Sequence, residues 1–223
     1  MPNSFRLGSE KVILVFLGKQ GTGKGTYAQM LEKDFGIKQV SIGDLLREEI
    51  AKGTALGKQI EEIVSAGNLV PDELTVEILD ANLEKFETKE GMVFDGFPRT
   101  LEQCNMLDEI LEKRNLKVDL VMHFVADEKI LVKRLTTRWT CSKCKKIYNT
   151  LTNPPKKAGV CDLDRAKLFQ REDDKEEAIK KRFGLYEQEI KPILECYKGK
   201  VIEVEASEPP IPIYKKVLKI LKK

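Results

Sequence analysis

No apolar run in the sequence approaches membrane-spanning length, and residues 1–10 lack the apolar core of a secretory signal. A soluble, cytoplasmic protein is therefore expected. Net charge is small: 39 basic against 36 acidic side chains leave +3. That balance argues against a dedicated nucleic-acid binder. Aromatics make up only 7% of the chain and are not interleaved with the basic residues, so a base-stacking surface is not indicated either. There is no internal repeat and no low-complexity segment. The single histidine, His123, falls inside an apolar strand pattern. A histidine there is ordinarily structural, and it is given no role. The five cysteines are an odd number, and three crowd into one stretch. In a reducing compartment that pattern favours a metal over disulfides. Cys104 and Cys196 read as ordinary buried or partly buried thiols. The 223 residues suffice for one domain with a sizeable core and small insertions.

What is present is organised around Gly18-Lys19-Gln20-Gly21-Thr22-Gly23-Lys24-Gly25-Thr26. The unbroken apolar run Val12-Ile13-Leu14-Val15-Phe16-Leu17 precedes it and reads as a strand buried on both faces. Tyr27-Ala28-Gln29-Met30-Leu31 follows as a helix. Strand, Gly-rich loop and helix are the context of a phosphate-binding loop. Its glycines let backbone N–H groups encircle phosphate oxygens, the helix N-terminus adds partial positive charge, and Lys24 adds a full one. The general pattern places Ser or Thr directly after the Lys as a Mg²⁺ ligand. Here Gly25 intervenes before Thr26, which leaves a direct Thr–Mg²⁺ bond open.

Along the chain, strands are predicted at residues 38–41, 92–95, 119–126 and 200–205. Helices are predicted from 24 to 35, from Leu45, and over 55–66, with another opening at Val70-Pro71-Asp72. Further helices run from Thr100 to 114, over 127–137, over 174–197 and over 211–222. Strands alternating with helices imply a parallel sheet of about five strands covered on both faces, an α/β fold. Ligands of such folds bind at the carboxyl ends of the strands. The loop after Leu17, residues 41–47 and residues 95–99 all lie at such ends.

Asp95 closes a buried strand, where an unpaired carboxylate is costly. It is a candidate for ordering the waters of a nucleotide-bound Mg²⁺, against the plainer role of a loop cap. Arg47, Arg99, Arg134, Arg138, Arg171 and Arg182 recur at element ends or on helix faces. One arginine alone is usually a solvated surface group. Together they suit phosphoryl transfer, which needs positioning and positive charge more than covalent help. Cys141, Cys144, Cys161 and Asp164 form C-x₂-C-x₁₆-C-x₂-D. Three thiolates and a carboxylate fill a tetrahedron, so a structural Zn²⁺ is expected. A redox C-x-x-C or unrelated thiols are the alternatives, but no thioredoxin-like strand-to-helix junction adjoins the pair.

These motifs resemble the adenylate kinase family, in its long form with a zinc-bearing lid. The resemblance covers nearly all of the chain after residue 10. It rests on Gly21-Thr22-Gly23-Lys24-Gly25-Thr26, Gly43-Asp44-Leu45-Leu46-Arg47, Asp95-Gly96-Phe97-Pro98-Arg99, Gln103 and Gln170-Arg171-Glu172-Asp173-Asp174, in the family's order and spacing. It implies phosphoryl transfer from Mg·ATP to AMP, giving two ADP. Gly21, Thr22, Gly23, Lys24, Gly25 and Thr26 would hold the ATP phosphates. Arg134 and Arg138 would reach them too, with Ile147 and Tyr148 beside the nucleotide. Arg47 and Arg99 would grip the AMP phosphate, Arg171 and Arg182 would bridge donor and acceptor, and Gly96, Phe97 and Pro98 would belong to the AMP site. Asn68, Leu69 and Val70 would border AMP, and Gln103 would read its adenine. Lys24, Arg99, Arg134, Arg138, Arg171 and Arg182 would be the catalytic cations. Asp44 and Asp95 would hold waters around Mg²⁺, which would remove the difficulty raised by Gly25.

The resemblance further implies a core of residues 1–40, 71–137 and 175–223, a monophosphate-binding region at 41–70, and a lid at 138–174. Lid closure would exclude water, for which the family is a standard example. The partners implied are ATP, AMP and ADP, with no nucleic acid, no membrane and a monomeric chain. Ile42 stands where the family usually has Thr facing the AMP base. Lys19-Gln20 replaces a more usual small-residue and Pro pair, and Trp139 replaces a frequent lid Arg. A kinase for UMP, CMP or another monophosphate is the nearest alternative, though Thr100-Leu101-Glu102-Gln103 speaks for adenine. A nucleic-acid zinc module and a slow P-loop switch protein are further classes. An AMP requirement for turnover separates them.

Overall fold

The structure, a computed structural model, describes residues 11–222. The leader at residues 1–10 lies outside the described residues, as does Lys223. In chain order the core runs β1 (Val12–Leu17), α1 (Lys24–Phe35), β2 (Lys38–Ser41), α2 (Ile42–Ala51), α3 (Ala55–Ser65), α4 (Asp72–Leu83), β3 (Gly91–Asp95), α5 (Leu101–Glu112), β4 (Leu120–Val125) and α6 (Glu128–Thr136). Three short strands follow: β5 (Arg138–Cys141), β6 (Ile147–Asn149) and β7 (Leu168–Phe169). The chain closes with α7 (Glu176–Cys196), β8 (Val201–Glu205) and α8 (Pro210–Leu221). Among the described residues no helix is long and apolar enough to cross a membrane.

The expected five-stranded parallel sheet is present, in the order β2-β3-β1-β4-β8. β1 lies at its centre because it has no polar face. Ile13, Val15 and Leu17 pack into one apolar layer with α2, α3, α4 and α5, while Val12, Leu14 and Phe16 pack into another with α1 and α8. Burying a side chain of this size contributes about 1.5–3 kcal/mol, which makes the strand bearing the phosphate loop the best anchored in the sheet.

Most element bounds follow local signals. Gly36 caps α1 in the left-handed conformation, its N–H on Glu32 O. α2 starts earlier than the Leu45 expected. Ser41 caps it, its Oγ accepting from Asp44 N at 3.3 Å, and Ile42 is already buried. α5 ends earlier than expected, at Glu112, and the chain turns through Asn115 at φ 56°. Cys104 is buried as expected. Cys196 is exposed, because Ile193 and Tyr197 take the inward face at the end of α7.

β6, β5 and β7 form a separate antiparallel sheet. Its apolar cluster is only Cys141, Tyr148, Cys161 and Leu168, with Trp139 and Ala166 packed against it. Such a unit is too small to hold together by burial alone.

Two glycines should respond to alanine with opposite sign. Gly91 sits at φ 108°, and a Cβ there would lie 1.9 Å from Val12 O across the sheet. Gly91→Ala should cost more than about 3 kcal/mol in denaturant unfolding, since strain and clash add. Gly184 is inside α7 with nothing within 4 Å of its Cβ position. Gly184→Ala should raise stability by about 0.5–1 kcal/mol.

Candidate active site

The loop after β1 depends on close backbone approach. Gly18 has φ 146°, and a Cβ there would meet Phe124 O at 2.4 Å. Lys24 folds back under the loop and donates to Gly18 O at 2.6 Å and Lys19 O at 3.1 Å. Burial pushes its pKa down to about 8, with Arg99, Arg182 and Arg138 adding to the shift and Asp95 opposing it. Thr22 is fully buried and donates to Lys19 O at 2.8 Å, so it shapes the loop from behind. Lys19 turns away from the cavity. Its ammonium meets Glu128 of α6, reaches Glu187 of α7 at 2.6 Å, and lies 5.3 Å over the Phe183 ring. Lys19 thus ties the loop to α6 and α7, the two helices on either side of the small sheet.

Gly25 has a steric reason. A Cβ there would come within 2.9 Å of Asp95 Oδ2 and 3.3 Å of Gln39 Nε2. Gln39 donates to that same oxygen at 2.7 Å. Burial pushes the Asp95 carboxyl up, against Lys24 and the Gln39 hydrogen bond. Burial also works to raise Asp44, but Arg47 beside it prevails and holds it below the usual carboxylate range. Gln39 was not singled out in the sequence. Its position two residues before Ser41, the carboxyl end of the edge strand β2, was the available signal.

The arginines converge. Arg47 donates to Asp44 at 2.7 Å, and Arg99 Nε to Gly96 O at 2.9 Å. Arg138 grips both oxygens of Asp174 at 2.8 and 2.5 Å, and Arg182 holds Asp173 at 2.5 Å. Arg171 Nε is buried and has no hydrogen-bond partner. Burial, Arg138 and Arg47 push Arg171 down to about 9, and burial, Arg182 and Arg47 push Arg99 down to about 10. These groups therefore face one another with too few carboxylates between them. Asp173 and Asp174 are counter-ions that had been assigned no role, although they stand two and three residues after Arg171 in the motif.

Arg134 stands apart. Its terminal nitrogens donate to Gly21 O, Ala206 O, Ser207 O and Glu208 O at 2.8–3.3 Å. Its two terminal nitrogens are thus engaged by carbonyls, while the residue still lines the cavity.

One cavity of about 960 Å³ joins these elements. Gly21, Gly23, Lys24, Gly25, Thr26, Asp44, Arg47, Asn68, Leu69, Asp95, Gly96, Pro98, Arg99, Arg134, Arg138, Ile147, Tyr148, Arg171 and Arg182 all line it. Thr22, Val70, Phe97 and Gln103 do not; all four are buried in the walls. The loop after β8, with Ser207, Pro209 and Pro210, also lines the cavity and was missed. Its place at a strand's carboxyl end could have flagged it.

In the small sheet, one ligand atom from each of Cys141, Cys144, Cys161 and Asp164 lies within 4.8 Å of the others. Cys144 Sγ is 3.6 Å from Cys161 Sγ, and Cys141 Sγ is 3.3 Å from Asp164 Oδ1. A tetrahedral zinc with bonds of about 2.3 Å has ligand edges near ~3.8 Å. Lys143 N donates to Cys141 Sγ and Leu163 N to Cys161 Sγ, both at 3.4 Å, as suits thiolates held by a metal. The donor set and spacing fit Zn²⁺.

Comparison with known proteins agrees with this geometry. The family model described as "Adenylate kinase" matches residues 16–202. An adenylate kinase of Fervidobacterium nodosum is 45% identical over 83% of this chain and 85% of its own length. That of Archaeoglobus fulgidus is 42% identical over 94% of this chain and 98% of its own. That of Listeria monocytogenes is 39% identical over 93% and 98%. With the phosphate loop, the convergent arginines and the family match along most of its length, the chain belongs to the adenylate kinase family.

Proposed function

We propose that the crevice carries out reversible phosphoryl transfer from Mg·ATP to AMP by holding the two nucleotides end to end, their phosphates meeting over Lys24. The observation that carries this reading is the surplus of buried cations. Lys24, Arg99 and Arg171 are each held below their usual pKa by burial and by neighbouring guanidinium groups, among them Arg47, Arg138 and Arg182. Such a cluster is stabilised by a polyanion, and most by the charge that develops as the phosphoryl group moves.

The loop from Gly21 to Thr26 and Lys24 take the donor phosphates. Arg47 and Arg99 take the acceptor phosphate, with Gly96 and Pro98 beside it, and Asn68 and Leu69 border the acceptor. Arg171 and Arg182 sit between donor and acceptor, and Arg138 reaches in once Asp174 yields it. Arg134, Ile147 and Tyr148 flank the donor base. Gln103 reads the acceptor base through its carboxamide, with Val70 and Phe97 packed behind. ATP enters as its Mg²⁺ complex, whose waters Asp44 and Asp95 orient. Residues 41–70 and 138–174 move against the core of 1–40, 71–137 and 175–223. Closing them leaves AMP, rather than water, as acceptor. We further place the protein in the cytoplasm as a monomer. Its five cysteines are free thiols, and a single chain lines the whole crevice, which supports that reading.

A coupled assay with ATP and each monophosphate tests the substrate. AMP should be turned over most efficiently; a preference for UMP or CMP would shift attention to Ile42 and the base pocket. Lys24→Ala and Arg171→Ala should each lower kcat/KM by at least ~100-fold, about 3 kcal/mol, with the unfolding midpoint nearly unchanged. Near-normal turnover in either folded variant refutes that residue's role.

Cys141, Cys144, Cys161 and Asp164 would hold one Zn²⁺ that supplies binding energy to the lid and no chemistry. Elemental analysis should find one zinc per chain. Chelation should lower the melting temperature, because metal binding here is folding energy. Asp164→Cys should keep the metal. Activity should persist below the temperature at which the metal-free lid unfolds.

A further inference from the structure

Gln103 raises a problem of its own. It is 1% exposed, and both ends of its carboxamide are already engaged. Oε1 accepts from Arg99 N at 2.8 Å, and Nε2 donates to Asp72 Oδ1 at 2.7 Å. A backbone N–H can only donate and a carboxylate can only accept. The two partners therefore fix which end of the amide is oxygen and which is nitrogen. No other orientation satisfies both.

Asp72 is itself held. Its other oxygen, Oδ2, accepts from Thr100 Oγ1 at 2.7 Å, and that hydroxyl accepts from Gln103 N at 3.1 Å as the N-cap of α5. Asp72 is the first residue of α4, where the helix dipole favours a negative charge. α4 and α5 are thus joined through a closed ring of hydrogen bonds around one amide.

We propose that Asp72 is the positioning residue that sets base selectivity, by locking the Gln103 carboxamide in one orientation toward the acceptor base. The proposal rests on the assignment of Gln103 to that base. The amide has one N–H and one oxygen lone pair left over. Adenine presents a ring-nitrogen acceptor beside an amino donor. Hypoxanthine, of nearly the same size, presents a ring N–H beside a carbonyl oxygen, the reverse order. With the acceptor phosphate gripped by Arg47 and Arg99, the base cannot turn over to compensate. A locked amide accepts one order and leaves polar groups unpaired against the other. Without Asp72 only the Arg99 N–H still opposes a flip, so one hydrogen bond rather than two enforces the order and the reversed one is rejected less strongly.

The test is the ratio of kcat/KM for AMP to that for IMP, with ATP as donor. Asp72→Ala should lower the ratio at least ~10-fold, the scale of one hydrogen bond to a charged group, mostly through KM and with kcat for AMP little changed. Asp72→Asn should restore most of it, since its carbonyl oxygen can take the same amide proton. Should Asp72→Ala fail to fold, Thr100→Val removes the anchor of Asp72 and should lower the ratio in the same direction. A wild-type ratio in folded Asp72→Ala or, failing that, in Thr100→Val overturns the proposal. So does Asp72→Asn as permissive as Asp72→Ala. Gln103→Leu separates the two layers. If it leaves the ratio unchanged, the assignment of Gln103 to the base fails. If it collapses the ratio while Asp72→Ala does not, only the role of Asp72 fails.

Discussion

Mutual repulsion among buried cations is the constraint on which this structure depends. Lys24, Arg99 and Arg171 are each driven toward their neutral forms by burial and by neighbouring guanidinium groups. A fold does not keep such a cluster for stability, because unpaired buried charge is among the costliest things a protein can hold. It is tolerated because β1, packed on both faces, and the short loop after it fix Lys24 rigidly. The carboxylates Asp44, Asp95, Asp173 and Asp174 neutralise only part of the charge, and a nucleotide pair supplies the rest.

The same electrostatics account for the state captured. Arg138 and Arg182 are held by adjacent acids, Asp174 and Asp173, on the segment that leads from the small sheet into α7. These pairs hold two of the cavity's cations against carboxylates. Lys19 ties the loop to both Glu128 and Glu187, on the two helices that flank the small sheet, and the cluster of three thiols and Asp164 lies within that sheet's unit. Lys24 opens α1 and Arg99 follows β3 in the central layer, while Arg138 opens the first strand of the small sheet.

Much of the fold was legible because its signals are local. The run from Val12 to Leu17, Gly36 after α1 and Asp127 before α6 each carry their cause in the adjacent sequence. The errors were at ends: α2 begins at Ile42 because Ser41 caps it, and Cys196 is exposed because Tyr197 takes the core position. Both depend on which face of a helix meets the sheet. Among the residues brought together, the loop, the arginines and the Cys141, Cys144, Cys161 and Asp164 cluster were legible as residue types at fixed spacing. For Gln39 and residues 207–210 the signal was only their place near a strand's carboxyl end, since their residue types are those of ordinary polar or turn positions.

The α/β class, the phosphate loop, the set of cations and the C-x₂-C-x₁₆-C-x₂-D pattern could all be read from the chain alone, because each is a short-range pattern whose chemistry follows from residue type and spacing. Folding set how those groups are partnered. It turned Arg134 onto four carbonyls, gave Arg138 and Arg182 to Asp174 and Asp173, left Arg171 Nε with none, and placed Asp72 against Gln103 across 31 residues of chain. Hydrogen-bond direction and charge balance are properties of groups brought together in space, and no spacing along the chain encodes them.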